Sequence, residues 1–272
     1  MEYSMTMHPA YTQPDDYAVP GAQALVFATR EAMAREAARR IAEACRAAVS
    51  QRGVAALMLA GGSTPRRTYE LLAQEADMPW ADILVFYGDE RMVPPDDPAS
   101  NAHMAHQTLL SRVPLPAANV MRIAGESGDA AEAAAQYEAI LRGVTQERGL
   151  AATQGVPVLD VVLLGMGDDG HTASLFPYST ALDERARLVV PALAPPDAAV
   201  SQRVTITLPL CAAARLVVFL ATGPHKAGIV REMVTQPAEA ARRYPAAQVV
   251  SGGDLLWLLA EVDGGGGEGA SA

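Results

Sequence analysis

The segment VLDVVLLG at 158–165 is apolar at consecutive positions rather than at alternate ones, over about the length of one β-strand. A strand with one wet face alternates apolar and polar side chains. A strand that is apolar at almost every position is covered on both faces, as in a parallel sheet flanked by helices. Parallel neighbours also need a crossover between them, so such a strand commits the chain to alternating strands and helices. VAALMLA (54–60), DILVFYG (82–88) and RLVVFLA (215–221) repeat the pattern. RVTIT (203–207) and a short segment around 120–123 read as further strands, and DLLWLLA (254–260) as a strand that returns to the sheet.

Helical periods lie between these runs. From Thr29 to Gly53 the apolar positions Met33, Ala37, Ile41, Ala44, Cys45 and Ala48 are spaced four, four, three, one and three apart, one face of a helix, with Thr29 as the N-cap and Gly53 as the terminating residue. Pro65 suits the first turn of a helix through RRTYELLAQEA. Asp129–Gly149 forms an amphipathic helix through Ala133, Tyr137, Ile140, Leu141 and Val144; SNAHMAHQTLL, capped near Ser100, and Pro224–Val234 are two more. DERMVPPDDPAS reads as a long loop. The predicted fold is a single-domain, doubly wound, mostly parallel α/β sheet flanked by helices, spanning 21–262. Residues 1–20 and the glycine-rich stretch 263–272 are expected to be disordered tails.

Composition narrows the partners. The net charge of −10 argues against nucleic acid or an anionic membrane, and no apolar run of spanning length occurs. No secretory apolar region follows the first residues, so a cytoplasmic location is expected. Cys45 and Cys211 lack CxxC spacing and read as reduced core residues, and the five histidines lack metal-ligand spacing, so neither metal nor cofactor is expected. Nothing in the sequence sets the oligomeric state.

In open α/β sheets ligands bind outside the carboxyl ends of the strands, and four segments place unusual residues there. Gly61-Gly62-Ser63-Thr64-Pro65 offers close backbone approach, two hydroxyls and a helix N-terminus, a phosphate or sugar cradle, with an ordinary tight turn and N-cap as the alternative. Gly88-Asp89-Glu90-Arg91 places Arg91 to bind an anion, or forms a surface ion pair. Gly165-Met166-Gly167-Asp168-Asp169-Gly170-His171 follows the most apolar strand with three glycines in six residues, then a histidine two residues beyond Asp169. Glycine amides there are expected to hold an oxyanion, and histidine, which generally titrates near about 6.5, is the natural base. Gly223-Pro224-His225-Lys226 puts a lysine in a first helical turn, unfavourable to the helix unless it reaches an anion. His103, His106 and His225 read as surface residues, and His8 lies in the tail. Together Arg91, Lys226, Arg203 and the Ser63–Thr64 loop can offset a phosphate, with His171 among them. The residues alone imply metal-free acid–base chemistry on a phosphorylated small molecule.

LAGGSTP (59–65), YGDERMVPPDDPASN (87–101), LLGMGDDGHTASLFP (163–177), RVTITLP (203–209) and ATGPHKA (221–227) resemble the 6-phosphogluconolactonase family from about residue 25 to 260. The resemblance implies a Rossmann-like fold shared with glucosamine-6-phosphate deaminases and ribose-5-phosphate isomerases. It implies hydrolysis of 6-phospho-D-glucono-1,5-lactone to 6-phospho-D-gluconate, the second step of the oxidative pentose phosphate pathway, without metal or organic cofactor. By this resemblance the base falls on His171, and Asp169, two residues before it, is expected to orient the imidazole. The family's phosphate and sugar contacts would fall on Ser63, Thr64, Arg91, Arg203 and Lys226, and Gly62, Asp89 and Gly167 are expected to join them at the substrate. One departure is visible: Trp257-Leu258-Leu259 is followed by Ala260 where the family pattern leads one to expect aspartate.

Two rival readings differ in their requirements. A deaminase-like isomerase, by the pattern of that related family, needs a glutamate soon after the histidine, and no carboxylate stands between His171 and Asp183. A non-catalytic sugar-phosphate sensor needs a DNA-binding module, for which the first ~25 residues are too short and too acidic.

Overall fold

The computed structural model describes residues 11–261. Strand β1 (Tyr11–Thr12) and β2 (Gln23–Phe27) precede helix α1 (Arg30–Arg52), which leads to β3 (Ala55–Leu59) and α2 (Thr64–Leu72). Next come β4 (Ile83–Tyr87), β5 (Asp89–Arg91), α3 (Asn101–Thr108) and α4 (Ala130–Glu147). A two-stranded hairpin, β6 (Ala152–Thr153) and β7 (Val156–Pro157), feeds β8 (Val161–Gly165). After it follow β9 (Val189–Leu193), β10 (Gln202–Ile206), α5 (Leu208–Ala213) and β11 (Leu216–Thr222). Helices α6 (Pro224–Thr235) and α7 (Pro237–Arg243) and strand β12 (Asp254–Ala260) complete the chain.

The seven-stranded sheet runs in the order β1, β2, β12, β11, β8, β3, β4. Its neighbours are parallel except β1 and β2. Every residue of β3 and β4 is buried, as their consecutive apolar pattern requires. Trp257 of β12 stacks on Phe219 of β11 with ring centroids 4.0 Å apart, within the main core that extends from Tyr17 to Ala260; Leu175, Ala181, Leu182 and Val190 form a second, smaller cluster. Each such fully buried large apolar side chain stabilises the fold by roughly 1.5–3 kcal/mol. From β3 the chain steps outward to β4, then returns to lay β8 on the opposite flank of β3. The connections leaving β3 and β8 therefore part in opposite directions and open a crevice above their carboxyl ends.

The helix boundaries follow local chemistry. Thr29 accepts the Ala32 N–H at 3.1 Å, and Gly53 closes α1 in the left-handed region at φ 77°. Asp129 caps α4 through the Ala131 and Glu132 amides, and Ser100 caps α3 through the His103 amide. Ser63 precedes α2 without a capping hydrogen bond, leaving the first-turn amides for a ligand.

Several expectations need correction. RVTIT does not join the main sheet. β10 is the middle strand of a separate antiparallel sheet, β5-β10-β9, and β5 arises within the expected loop. Its sequence explains why: Arg203 and Thr205 alternate with the buried Val204 and Ile206, the pattern of a strand with one polar face. Val120 forms only an isolated bridge to Val85. Strands β2 and β9 and helices α5 and α7 had no clear sequence signal. Residues 11–20, expected as part of a tail, pair β1 with β2 and bury Tyr17. The expectations for 1–10 and 263–272 lie outside the described residues. Among the described residues no helix is long and apolar enough to cross a membrane.

Candidate active site

A cleft of about 560 Å³ lies over the crevice between β3 and β8. Gly62, Ser63, Thr64, Asp89, Arg91, Gly167, Asp169, His171, Arg203 and Lys226 all line it. The main sheet supplies the turn after β3, the loop after β8 and the start of α6, while the small sheet supplies the two arginines as one wall.

The loop after β8 is a tight turn closed by its own amides. The Gly167 N–H donates to the His171 carbonyl at 2.9 Å, and the Gly170 N–H to the Gly167 carbonyl at 3.1 Å. Asp169 Oδ1 accepts the His171 N–H at 3.0 Å and lies 2.6 Å from His171 Nδ1. With Nδ1 facing a carboxylate, Nε2 is the nitrogen left for substrate. Burial raises the Asp169 pKa, but the hydrogen bonds from the His171 ring and amide outweigh it and hold the carboxyl below its ordinary value. The imidazole rests against Phe176, with ring centroids 4.8 Å apart, and remains 32% exposed on the cleft side.

Gly167 has a role different from the expected one. A Cβ there would stand 2.2 Å from the His171 ring, so glycine is needed to leave room for the imidazole. The amides of Gly167, Gly170 and His171 are committed within the loop and do not form the expected oxyanion site. Gly170, at φ 77°, packs under Tyr244, and its carbonyl accepts the Ala246 amide at 3.0 Å.

The cationic wall is built against electrostatic preference. Register places Arg91 on β5 opposite Arg203 on β10, a like-charge pair that costs stability unless an anion joins it. Burial, and then the charge of Arg91, lower the Arg203 pKa. Arg91 is held by Nη1 on the Ala99 carbonyl at 2.6 Å, while its buried Nε has no hydrogen-bond partner among the described residues. Lys226 Nζ lies 3.5 Å from the exposed Asp168 carboxylate.

Asp89 lines the cleft but is buried, and each of its carboxylate oxygens accepts a hydrogen bond from the protein. Its role is internal. Its neighbour Glu90 is buried too; desolvation raises its pKa although three backbone amides and Ser100 bond to it. Sequence reasoning gave no role to Asn101, Ser174, Phe176 or Thr205. All four stand inside the motif blocks named in the sequence, and only the packing reveals what they hold. His106 is exposed and His103 half-buried, whereas His225 is not idle: its Nε2 lies 2.8 Å from the Asp168 carbonyl. Cys45 and Cys211 are free and buried. Among the described residues no group of three or more His, Cys, Asp or Glu side chains is arranged to hold a metal.

Residues 28–257 match the family model described as glucosamine-6-phosphate isomerases/6-phosphogluconolactonase. A 6-phosphogluconolactonase from Nostoc sp. is 41% identical over 78% of this chain and 84% of its own length. One from Mycobacterium tuberculosis is 35% identical over 86% of this chain and 94% of its own. The chain belongs to the 6-phosphogluconolactonase family. That makes it an enzyme, and the fold agrees: the solved 6-phosphogluconolactonase of Trypanosoma brucei superposes with a TM-score of 0.76 at 32% identity, covering 88% of this chain and 96% of that one. In this family member Ala260 is buried at the end of β12, where its carbonyl accepts the Gly223 amide at 2.8 Å just ahead of α6.

Proposed function

We propose that the protein hydrolyses 6-phospho-D-glucono-1,5-lactone to 6-phospho-D-gluconate, with His171 as general base and no metal or organic cofactor. The observation that carries this is the His171–Asp169 pair at 2.6 Å in the same cleft as Arg91, Arg203 and Lys226. A phosphate of charge about −1.5 to −2 is met there by three cationic side chains and the N-terminus of α2.

In this mechanism a water held by His171 Nε2 attacks the lactone carbonyl carbon and gives its proton to the ring. Asp169 keeps the opposite nitrogen protonated and favours the imidazolium that forms. The oxyanion of the tetrahedral intermediate develops within the cationic field of the cleft. On collapse the carbonyl re-forms, the bond to the ring oxygen breaks, and the imidazolium returns the proton to that oxygen. The base is thereby restored. General-base help of this kind is worth about 10²–10⁴-fold.

The test is a coupled assay on freshly generated lactone, with 6-phosphogluconate followed by its dehydrogenase. Acceleration over the spontaneous rate is expected for the wild type and its loss for His171→Ala. Wild-type turnover in that variant would remove the base assignment, and binding without any acceleration would remove the hydrolase reading.

A further inference from the structure

Side chains two residues apart on a strand share a face. Asp89 and Arg91 stand in that relation on β5, Arg203 and Thr205 on β10, and the register sets Asp89 opposite Thr205 as it sets Arg91 opposite Arg203. The face that carries the arginine pair thus carries Asp89 and Thr205 behind it. Ser174, three residues beyond His171, binds both of these: its Oγ donates to Asp89 Oδ2 at 2.6 Å and its N–H to Thr205 Oγ1 at 3.1 Å. All three residues are buried. Loop serines commonly bond within their own turn, whereas these two bonds reach 85 and 31 residues along the chain.

The phosphate-side turn is tied to the same point. Asp89 Oδ1 accepts Asn101 Nδ2 at 2.9 Å, and Asn101 lies so close beneath Gly61 that a Cβ there would meet its side-chain oxygen at 2.1 Å. Between His171 and Ser174 the backbone is constrained on both sides. Thr172 Oγ1 donates to the Gly165 carbonyl at 2.8 Å, and Ala173 is held at φ 48°, a left-handed conformation that a non-glycine residue keeps only when its surroundings impose it.

We propose that Ser174 is a positioning residue which, through Asp89 and Thr205, sets the distance between the His171 imidazole and the Arg91–Arg203 pair. It thereby selects lactones whose phosphate stands at the matching reach from the carbonyl. This inference rests on the hydrolase reading above and adds to it the origin of substrate preference. A phosphorylated lactone is anchored at the arginines, so a shifted base misses its carbonyl. An unphosphorylated lactone has no anchor and settles against the base wherever the base stands.

The experiment compares 6-phosphogluconolactone with unphosphorylated glucono-1,5-lactone, each corrected for spontaneous opening, for wild type, Ser174→Ala, Thr205→Val and Thr205→Ser. In the first two variants kcat on the phosphorylated lactone is expected to fall about 10²-fold, the size of effect that a misplacement near 1 Å produces. KM and inhibition by inorganic phosphate should hold, as should turnover of the unphosphorylated lactone, so the preference between the two collapses. Thr205→Ser keeps the hydroxyl and should retain the wild-type preference, and this pair decides the matter even if Ser174→Ala does not fold. An unchanged preference in Ser174→Ala and Thr205→Val, or an equal loss on both lactones, overturns the inference alone. A wild type inactive on both lactones overturns the hydrolase reading and this inference with it.

Discussion

Replacing Gly167 with alanine separates catalysis from stability in this site. The added Cβ would lie 2.2 Å from His171 Cε1 and Nδ1 and 2.9 Å from Nε2, well inside van der Waals contact. Gly167 does not sit in the left-handed region, so alanine brings no backbone strain there. Its amide bond to the His171 carbonyl survives the change. What must give is the imidazole, which is part-exposed and can swing out of the loop. In doing so it leaves the 2.6 Å contact with Asp169 and its seat on Phe176. The expected cost is the general-base contribution, about 10²–10⁴-fold in kcat. At about 1.36 kcal/mol per tenfold that is roughly 2.7–5.4 kcal/mol of transition-state stabilisation. The melting temperature, measured by calorimetry, should move by only a few degrees, because no core contact is lost. The assay is the coupled lactone assay with KM and kcat determined separately. If Gly167→Ala turned over within about threefold of wild type, the ring position described here would not be the catalytic one, and the reasoning from loop geometry to base would fail.

Other outcomes follow from the same structure. Arg203→Ala should raise KM for the phosphorylated lactone by about 10–100-fold, the roughly 1.5–3 kcal/mol of a hydrogen bond to a charged group, and leave KM for the unphosphorylated lactone near wild type. Its melting temperature should not fall, because the change also removes the like-charge opposition to Arg91. Burial pushes both the Cys45 and Cys211 thiols up to about 12, so a thiol reagent at neutral pH should titrate neither in the native protein and both in urea. The hydrogen bonds from Arg122 pull Glu126 down to about 2 from its ordinary 4.5. Its contribution to stability is therefore complete above 4.5 and is lost as pH falls towards 2, and Glu126→Gln should flatten acid unfolding in that window.

Much of the site was legible because its parts are local. The turn at 61–65 needs only glycines, hydroxyls and a following helix, and the loop at 165–171 needs only glycines, an acid and a histidine in short order. Each falls at a strand end that the apolar pattern already marks. Arg91 and Lys226 could be named for the same reason, as charges where a strand stops, and Arg203 as a charge at the start of RVTIT. What the loop amides do was not legible, since a glycine that frees an amide for an oxyanion and one that makes room for a ring read alike in one dimension. The structure gives Gly167 the second role.

Asp89 shows the same division. Beside Arg91 at a strand end it reads as a ligand contact, and only the packing of β5 against β10 and α3 turns both of its oxygens inward. Periodicity and turn chemistry act within a few residues, so the sequence by itself determined the strand–helix alternation, the helix caps and the chemical types that would gather at the strand ends. Which strands pair, and in what register, depends on contacts between segments far apart in the chain. The tertiary structure alone therefore decided that RVTIT leaves the main sheet, that Arg91 faces Arg203, and that the buried Ser174, three residues beyond His171, is bonded to the strands that carry both arginines.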